Sequence, residues 1–109
     1  MNNIRNRVQL IGNLGMDVEL KSTEKGRQLA KVSIATRDVY KNKEGEKTVD
    51  VQWHNLVAWG KTAEMMHAFG KKGKEVAING KLNHRSFEDE QGTKRYFTEV
   101  VVQEFLLLK

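Results

Sequence analysis

The chain has 109 residues, with 19 Lys and Arg against 14 Asp and Glu, and neither cysteine nor proline. That length holds a single hydrophobic core. The net charge of +5 makes a polyanion the default partner, while the lack of cysteine excludes disulfides, thiolate zinc sites and thiol nucleophiles.

The N-terminal run MNNIRNRVQLIGN lacks the apolar core of a signal peptide. No stretch approaches the roughly 20 apolar residues of a membrane-spanning helix, so a cytoplasmic protein with no membrane partner is expected. Without proline, the backbone donors needed for sheet pairing are uninterrupted, which permits long strands.

The first strand is expected over residues 6–13, with Val8 and Leu10 on one face and Ile11 on the other, ending at Gly12-Asn13-Leu14-Gly15. The second covers 18–21, turns at Glu24-Lys25-Gly26 and resumes over 28–36, where Val32 and Ile34 alternate with Ser33 and Ala35. The polar, charge-mixed stretch 41–47 reads as the mobile tip of a long hairpin. A third strand over 49–59 carries both tryptophans.

After Gly60 the period changes. Thr62 is placed to cap a short helix in which Met65, Met66 and Phe69 fall at helical spacing, and Gly70 stops it. Lys71-Lys72-Gly73-Lys74 forms a basic turn, followed by a strand over 75–87, a hairpin loop over 88–93 and a last strand over 94–106 anchored by Val100, Val101 and Val102. Three strands, a lone helix and two strands predict an all-β fold, the five-stranded Greek-key barrel called the OB-fold, with the helix between strands three and four closing one end. A small β-sandwich would leave that helix unexplained. With no repeat or low-complexity segment, residues 1–109 read as one domain.

The segment VQWHNLVAWGKTAE, residues 51–64, is the most informative part of the chain. Side chains alternate along a strand, so Trp53, Asn55, Val57 and Trp59 share one face while His54, Leu56 and Ala58 share the other. The second face supplies the core. Two indoles beside a polar amide, on a basic protein, point to base stacking; the competing reading, that both are core residues, is weakened by the aliphatic opposite face.

Several stretches together resemble the bacterial single-stranded DNA-binding proteins, over nearly the whole chain. They are Asn6-Arg7-Val8 through Gly12-Asn13-Leu14-Gly15-Met16-Asp17, Val32-Ser33-Ile34-Ala35-Thr36, Trp53-His54 and Trp59-Gly60-Lys61-Thr62-Ala63-Glu64. Lys72-Gly73, Ile78-Asn79-Gly80-Lys81-Leu82 and Arg95-Tyr96-Phe97-Thr98-Glu99-Val100-Val101-Val102 complete the set. Each alone is weak, but their order and spacing are specific.

The resemblance implies an OB-fold that assembles into a homotetramer and wraps single-stranded DNA without sequence preference in replication, recombination and repair. It places stacking aromatics at Tyr40, Trp53, Trp59 and Phe87, with tyrosine, tryptophan and phenylalanine standing for the more usual tryptophan, phenylalanine and tryptophan at Tyr40, Trp59 and Phe87. Every position keeps a π-face. The resemblance also places His54, with Val8 and Leu10, at contacts between subunits. Val18 departs from a frequent proline, which is expected to loosen a turn. Family members usually continue into a Gly, Pro and Gln-rich linker with an acidic tip; the sequence here stops at Phe105-Leu106-Leu107-Leu108-Lys109, either cut short or a tail-less member, and tail-dependent recruitment of replication and repair proteins is not expected of it.

A sequence-tolerant binder of single strands needs flat aromatics interleaved with cations. Arg5, Lys61, Lys71, Lys72, Lys74 and Arg85 are the candidates for phosphate contact. No catalytic set emerges: His54, Asp50 and Ser33 form no credible triad, since a lone strand histidine is usually a structural hydrogen bonder. His67 and His84 stand isolated from metal-ligating partners. Glu88, Asp89 and Glu90 are consecutive and point apart, and Gly12-Asn13-Leu14-Gly15 lacks the GK[ST] ending of a phosphate loop. Neither enzymatic activity nor a cofactor or metal is expected. The competing function is a tail-less OB-fold interaction module, resembling the primosomal replication-restart protein, whose aromatic set is thinner. A nuclease would need converging carboxylates, and nothing marks a reader of the RNA 2′-hydroxyl.

Overall fold

A computed structural model describes residues 4–109. The elements are β1 (Val8–Leu14), β2 (Glu19–Ser22), β3 (Gln28–Lys41), β4 (Lys47–Trp59), α1 (Gly60–Phe69), β5 (Glu75–Glu88) and β6 (Lys94–Leu107). Hydrogen bonding runs β1-β5-β6-β4-β3, and β3 pairs back to β1 through Asn13 with Ala35 and Leu14 with Ile34, so five strands close into a barrel. β2 lies outside that ring, paired with β3 alone. All pairings are antiparallel except β4 with β6, where Leu56 faces Val100 and Val57 faces Val101. The expected OB-fold is therefore present, with the helix between the third and fourth barrel strands.

The barrel is filled by alternate residues from each strand. Leu14, Val32, Ile34, Leu56, Ala58, Val76, Ile78, Val100 and Val102 are buried together with Ala63 and Met66 of the helix. β-branched side chains dominate the strand contribution, as suits a pleated, packed surface. Burying one such side chain fully stabilises the fold by about 1.5–3 kcal/mol. Val8 and Leu10, expected between subunits, are half-buried and pack against this same core, because even-numbered β1 residues face the barrel interior.

α1 differs from expectation in two ways. Trp59 occupies the N-cap in extended conformation with no side-chain cap, and Thr62 lies inside the first turn. The buried stripe is Ala63 and Met66, whereas Met65 and Phe69 are exposed. Helical spacing is shared by several candidate stripes, and the one that docks is set by where β4 delivers the chain. The chain leaves the helix at Gly70 in extended conformation, and the Val18 side chain and the Met66 carbonyl leave no room there for a Cβ, so the position requires glycine. Val18 is buried there, its N–H donating to the Gly70 carbonyl at 3.0 Å and its carbonyl 3.0 Å from His67 Nδ1. A proline would lack that donor, so Val18 anchors the turn that was expected to be loosened.

The strands run further than the residue pattern indicated, reaching Lys41, starting again at Lys47 and continuing to Glu88 and Leu107. One turn chemistry explains the extra length. Thr23, Asn42 and Asp89 each open a hairpin loop with a glycine three residues on, at φ 82°, 79° and 77°. That left-handed glycine accommodates the loop without strain. The opening side chain clamps the loop: Asn42 Oδ1 accepts from the N–H groups of Glu44 and Glu46 at 2.9 Å. Asp89 Oδ1 accepts from Gln91 and Thr93, and Thr23 Oγ1 from Arg27. The stretch 41–47, expected as the tip of a long hairpin, is that tip, a closed turn with strand pairing up to Lys41 and Lys47.

Candidate nucleic-acid interface

Pairing of β3 with β4 is uninterrupted from Leu29 opposite Trp59 to Lys41 opposite Lys47. One face of this ribbon therefore carries Leu29, Lys31, Ser33 and Ala35 beside Trp59, Val57, Asn55 and Trp53. Across the parallel seam, β6 and β5 add Val101, Glu99, Phe97 and Asn83, Arg85, Phe87 to the same face. The result is a trough on the outside of the barrel. Two adjoining recesses mark its floor, of about 160 and 220 Å³, and Lys31, Val57 and Arg85 line both.

The two indoles stand at opposite ends of this floor, six residues apart, about 20 Å along a strand. Trp53 remains 61% exposed. Its ring lies over Gly15, where a Cβ would collide with the indole, so the turn after β1 forms one end wall and glycine is required there. Trp59 is 36% exposed. The Arg27 guanidinium carbon sits 4.4 Å from the centroid of its ring and covers one indole face. Val57 shares the indole face yet is buried, and forms the trough's apolar floor.

Phe87 lies on the trough face, 51% exposed, toward the tip of the β5–β6 hairpin. Tyr40 does not join it. Opposite Thr48, and an odd number of residues from Ala35, it stands on the other face of the β3–β4 ribbon, 50% exposed. His54 shares that other face, half-buried, with Nε2 2.9 Å from Thr36 Oγ1. His84 pairs with Thr98 Oγ1 at 2.9 Å through Nδ1.

Lys71, Lys72 and Lys74 are exposed on a turn tied to the trough's end wall. The Lys72 N–H donates to Asp17 Oδ1 at 2.8 Å, and the Gly73 N–H donates to the Leu14 carbonyl at 2.8 Å. Lys61 is exposed on the first turn of α1, beside Trp59. Arg5 is exposed just before Asn6, whose side chain brackets Leu82 on β5 through its N–H and carbonyl. Arg85 is engaged within the protein: its Nε bonds Glu99 Oε1 at 2.6 Å, and its guanidinium carbon lies 5.1 Å from the Phe97 centroid.

Arg27, Lys31, Phe97 and Glu99 line or flank the trough although no motif in the sequence marks them as site residues. Lys31 could have been found, since counting back from the Asn42 turn pairs it with Val57. Glu99 carried a weaker signal, a lone carboxylate between Phe97 and Val101 on alternating positions. The acidic run 88–90 serves turn structure: Asp89 Oδ2 also accepts from Arg95 Nε at 3.0 Å. Thr93 N–H foremost, then Arg95, holds the Asp89 carboxyl below the ordinary aspartate value. Among the described residues no group of three or more acidic, His or Cys side chains is placed to hold a metal, and no helix is long and apolar enough to cross a membrane.

Comparison with known proteins gives a consistent answer. The chain is 39% identical over 104 residues to a protein named Single-stranded DNA-binding protein 1 of Xylella fastidiosa, covering 94% of this chain and 76% of the relative. It is 38% identical over 104 residues to the protein of the same name from Chlorobaculum tepidum, covering 94% of this chain and 64% of that one. The fold superposes on the Plasmodium falciparum SSB solved in complex with ssDNA with a TM-score of 0.88, at 22% identity and full coverage of both chains. A deletion mutant of the single-stranded DNA binding protein from Thermus aquaticus matches with a TM-score of 0.83, at 24% identity over 95% of this chain and 50% of that one. The pattern of the Single-strand binding protein family extends over residues 5–108, so with a closed OB-barrel and two exposed indoles along its outer trough, the chain belongs to that family.

Proposed function

We propose that this protein binds single-stranded DNA without sequence preference, as a binding protein and not an enzyme, and protects exposed strands during replication, recombination and repair. The carrying observation is the pair of exposed indoles on one trough face with cations between and beside them. In this reading bases stack on Trp53, Trp59 and Phe87, while Lys31, Lys61, Lys71, Lys72, Lys74 and Arg5 neutralise phosphates. Base stacking in single-strand-binding OB-folds, the class to which this fold belongs, contributes roughly 1–3 kcal/mol per base. Tyr40 would meet the strand only where it crosses the ribbon's edge.

Titration of the intrinsic tryptophan fluorescence with oligo(dT) tests the reading. Strong quenching by the single strand and little by duplex is expected, with affinity falling on a log-log salt plot by about 0.7 per phosphate contacted. Indoles that stay silent while the protein binds nothing would overturn it.

Assembly into a homotetramer, with His54 near the contact, belongs to the same proposal. It is supported by the exposed apolar Ile11 and Leu106, which flank Ala77 in register on the outside of β1, β5 and β6. Light scattering over a concentration series decides it; a monomer mass throughout would remove this part alone.

A further inference from the structure

Glu99 is the one buried charged residue among the described residues, 4% exposed, and it lies in the wall of a surface suited to a polyanion. A carboxylate there would repel phosphate unless neutralised. Arg85 neutralises it: the 2.6 Å Nε–Oε1 contact is a short charge-assisted bond, and the Arg85 side chain is half-exposed above the buried acid. Pulling the guanidinium away toward a phosphate would leave a buried carboxylate uncompensated, which is strongly unfavourable. The pair therefore enters the trough as a neutral unit.

A neutral unit can still recognise a base. The guanidinium is planar and delocalised, and lies over the Phe97 ring at 5.1 Å. A plate held against an aromatic ring and tethered at Nε is pre-organised to stack a nucleobase on its open side. The surrounding groups suit base edges: Ser33, Asn55 and Lys31 line the first recess with Arg85, and Asn83 lines the second with Trp59.

We infer that Arg85 contacts a base and not a phosphate, and that Glu99 is the positioning residue that holds it in that role. This rests on the single-strand reading above and revises the expectation that Arg85 is one of the phosphate contacts. It predicts that Arg85 adds affinity while contributing nothing to counterion release.

The test is salt-dependent titration of the full chain with oligo(dT), and with a strand of equal length carrying abasic residues. The main variant is Arg85→Gln with Glu99→Gln, which removes the pair without stranding a buried carboxylate. It is expected to bind oligo(dT) about tenfold more weakly at an unchanged salt slope, and to bind the abasic strand as the parent does. Glu99→Gln alone frees the guanidinium's charge and is expected to steepen the slope by about 0.7, while Lys72→Gln flattens it by about 0.7. A double variant whose slope flattens like that of Lys72→Gln, or that loses affinity equally for the abasic strand, would overturn the inference. Failure of the parent protein to bind oligo(dT) at all would instead remove the single-strand reading itself.

Discussion

The barrel half of β3 and β4 and the half that projects beyond it are continuous in chain and register, yet only the first is packed. Val32, Ile34, Leu56 and Ala58 are buried, whereas Arg37 to Lys41 and most of Lys47 to Trp53 are exposed. β5 repeats the contrast, with Val76, Ile78 and Gly80 buried and Lys81 to Glu88 exposed. The projecting halves are held by ladder hydrogen bonds and a clamped turn, with no core of their own. Stability should therefore rest on the inward residues of the barrel half, and nucleic-acid affinity on residues that face the outer trough or project beyond the barrel.

The hardest test of that separation is Ile34→Ala. Ile34 is fully buried, and truncation is expected to cost about 2–5 kcal/mol of unfolding free energy. Denaturant titration measures it, and a loss below 1 kcal/mol would mean the barrel is not the stability centre. Trp53→Ala, on the projecting side, should do the reverse. Binding to a short oligo(dT) should weaken by roughly 1–3 kcal/mol while the melting temperature stays near that of the parent. Tyr40→Ala should weaken binding of the same oligomer far less than Trp53→Ala does, because Tyr40 stands on the ribbon's other face. Equal losses would show that the arm rolls to present both faces.

The smallest effect is expected at Asp89. Its carboxyl is held below the ordinary aspartate value by the Thr93 N–H and then by Arg95. A depressed native value means the ionised form supports the fold. That support is complete above the unfolded value of about 3.9 and disappears as pH falls through the lower native one. Asp89→Asn keeps a turn acceptor, as Asn42 does in the other hairpin, but removes the titration. Melting temperatures followed from pH 7 down to about pH 3 should fall more for the parent than for the variant. Parallel curves would remove Asp89 from the acid response.

The barrel was legible because alternation in 28–36 and 49–59 is unambiguous and the lone helix fell where an OB-fold needs one. Helix details were less so. Met65, Met66 and Phe69 satisfy helical spacing equally well, and only the exit direction of β4 turns Met66 inward and leaves the others outside. Val8 and Leu10 pack against the core, half-buried, because β1 closes onto both β5 and β3, a tertiary fact absent from local pattern.

The trough was half legible. Trp53 and Trp59 share a face as alternation predicts, Phe87 joins them through the pairing of β5 with β6 and of β6 with β4, and the placement of Tyr40 and Lys31 required the hairpin register. Asn42 and Gly45 contain that information, because a three-residue loop fixes which residues pair. The Arg85–Glu99 contact is diagonal across two strands, since Arg85 faces Phe97 and Glu99 faces Asn83. Its meaning depends on burial, which no motif reports.

The recurring clamped turn also makes the length of each arm a two-position selector. Since the loop dictates pairing and pairing dictates facing, shortening the β3–β4 ribbon by one cross-strand pair, such as Arg37 with Val51, would rotate Tyr40 onto the indole side. Shortening it by two pairs would leave every remaining side chain facing as it did. Relatives of this barrel can accordingly vary the reach of their arms freely only in steps of two, and an odd step exchanges the inner and outer aromatics without altering a single residue type.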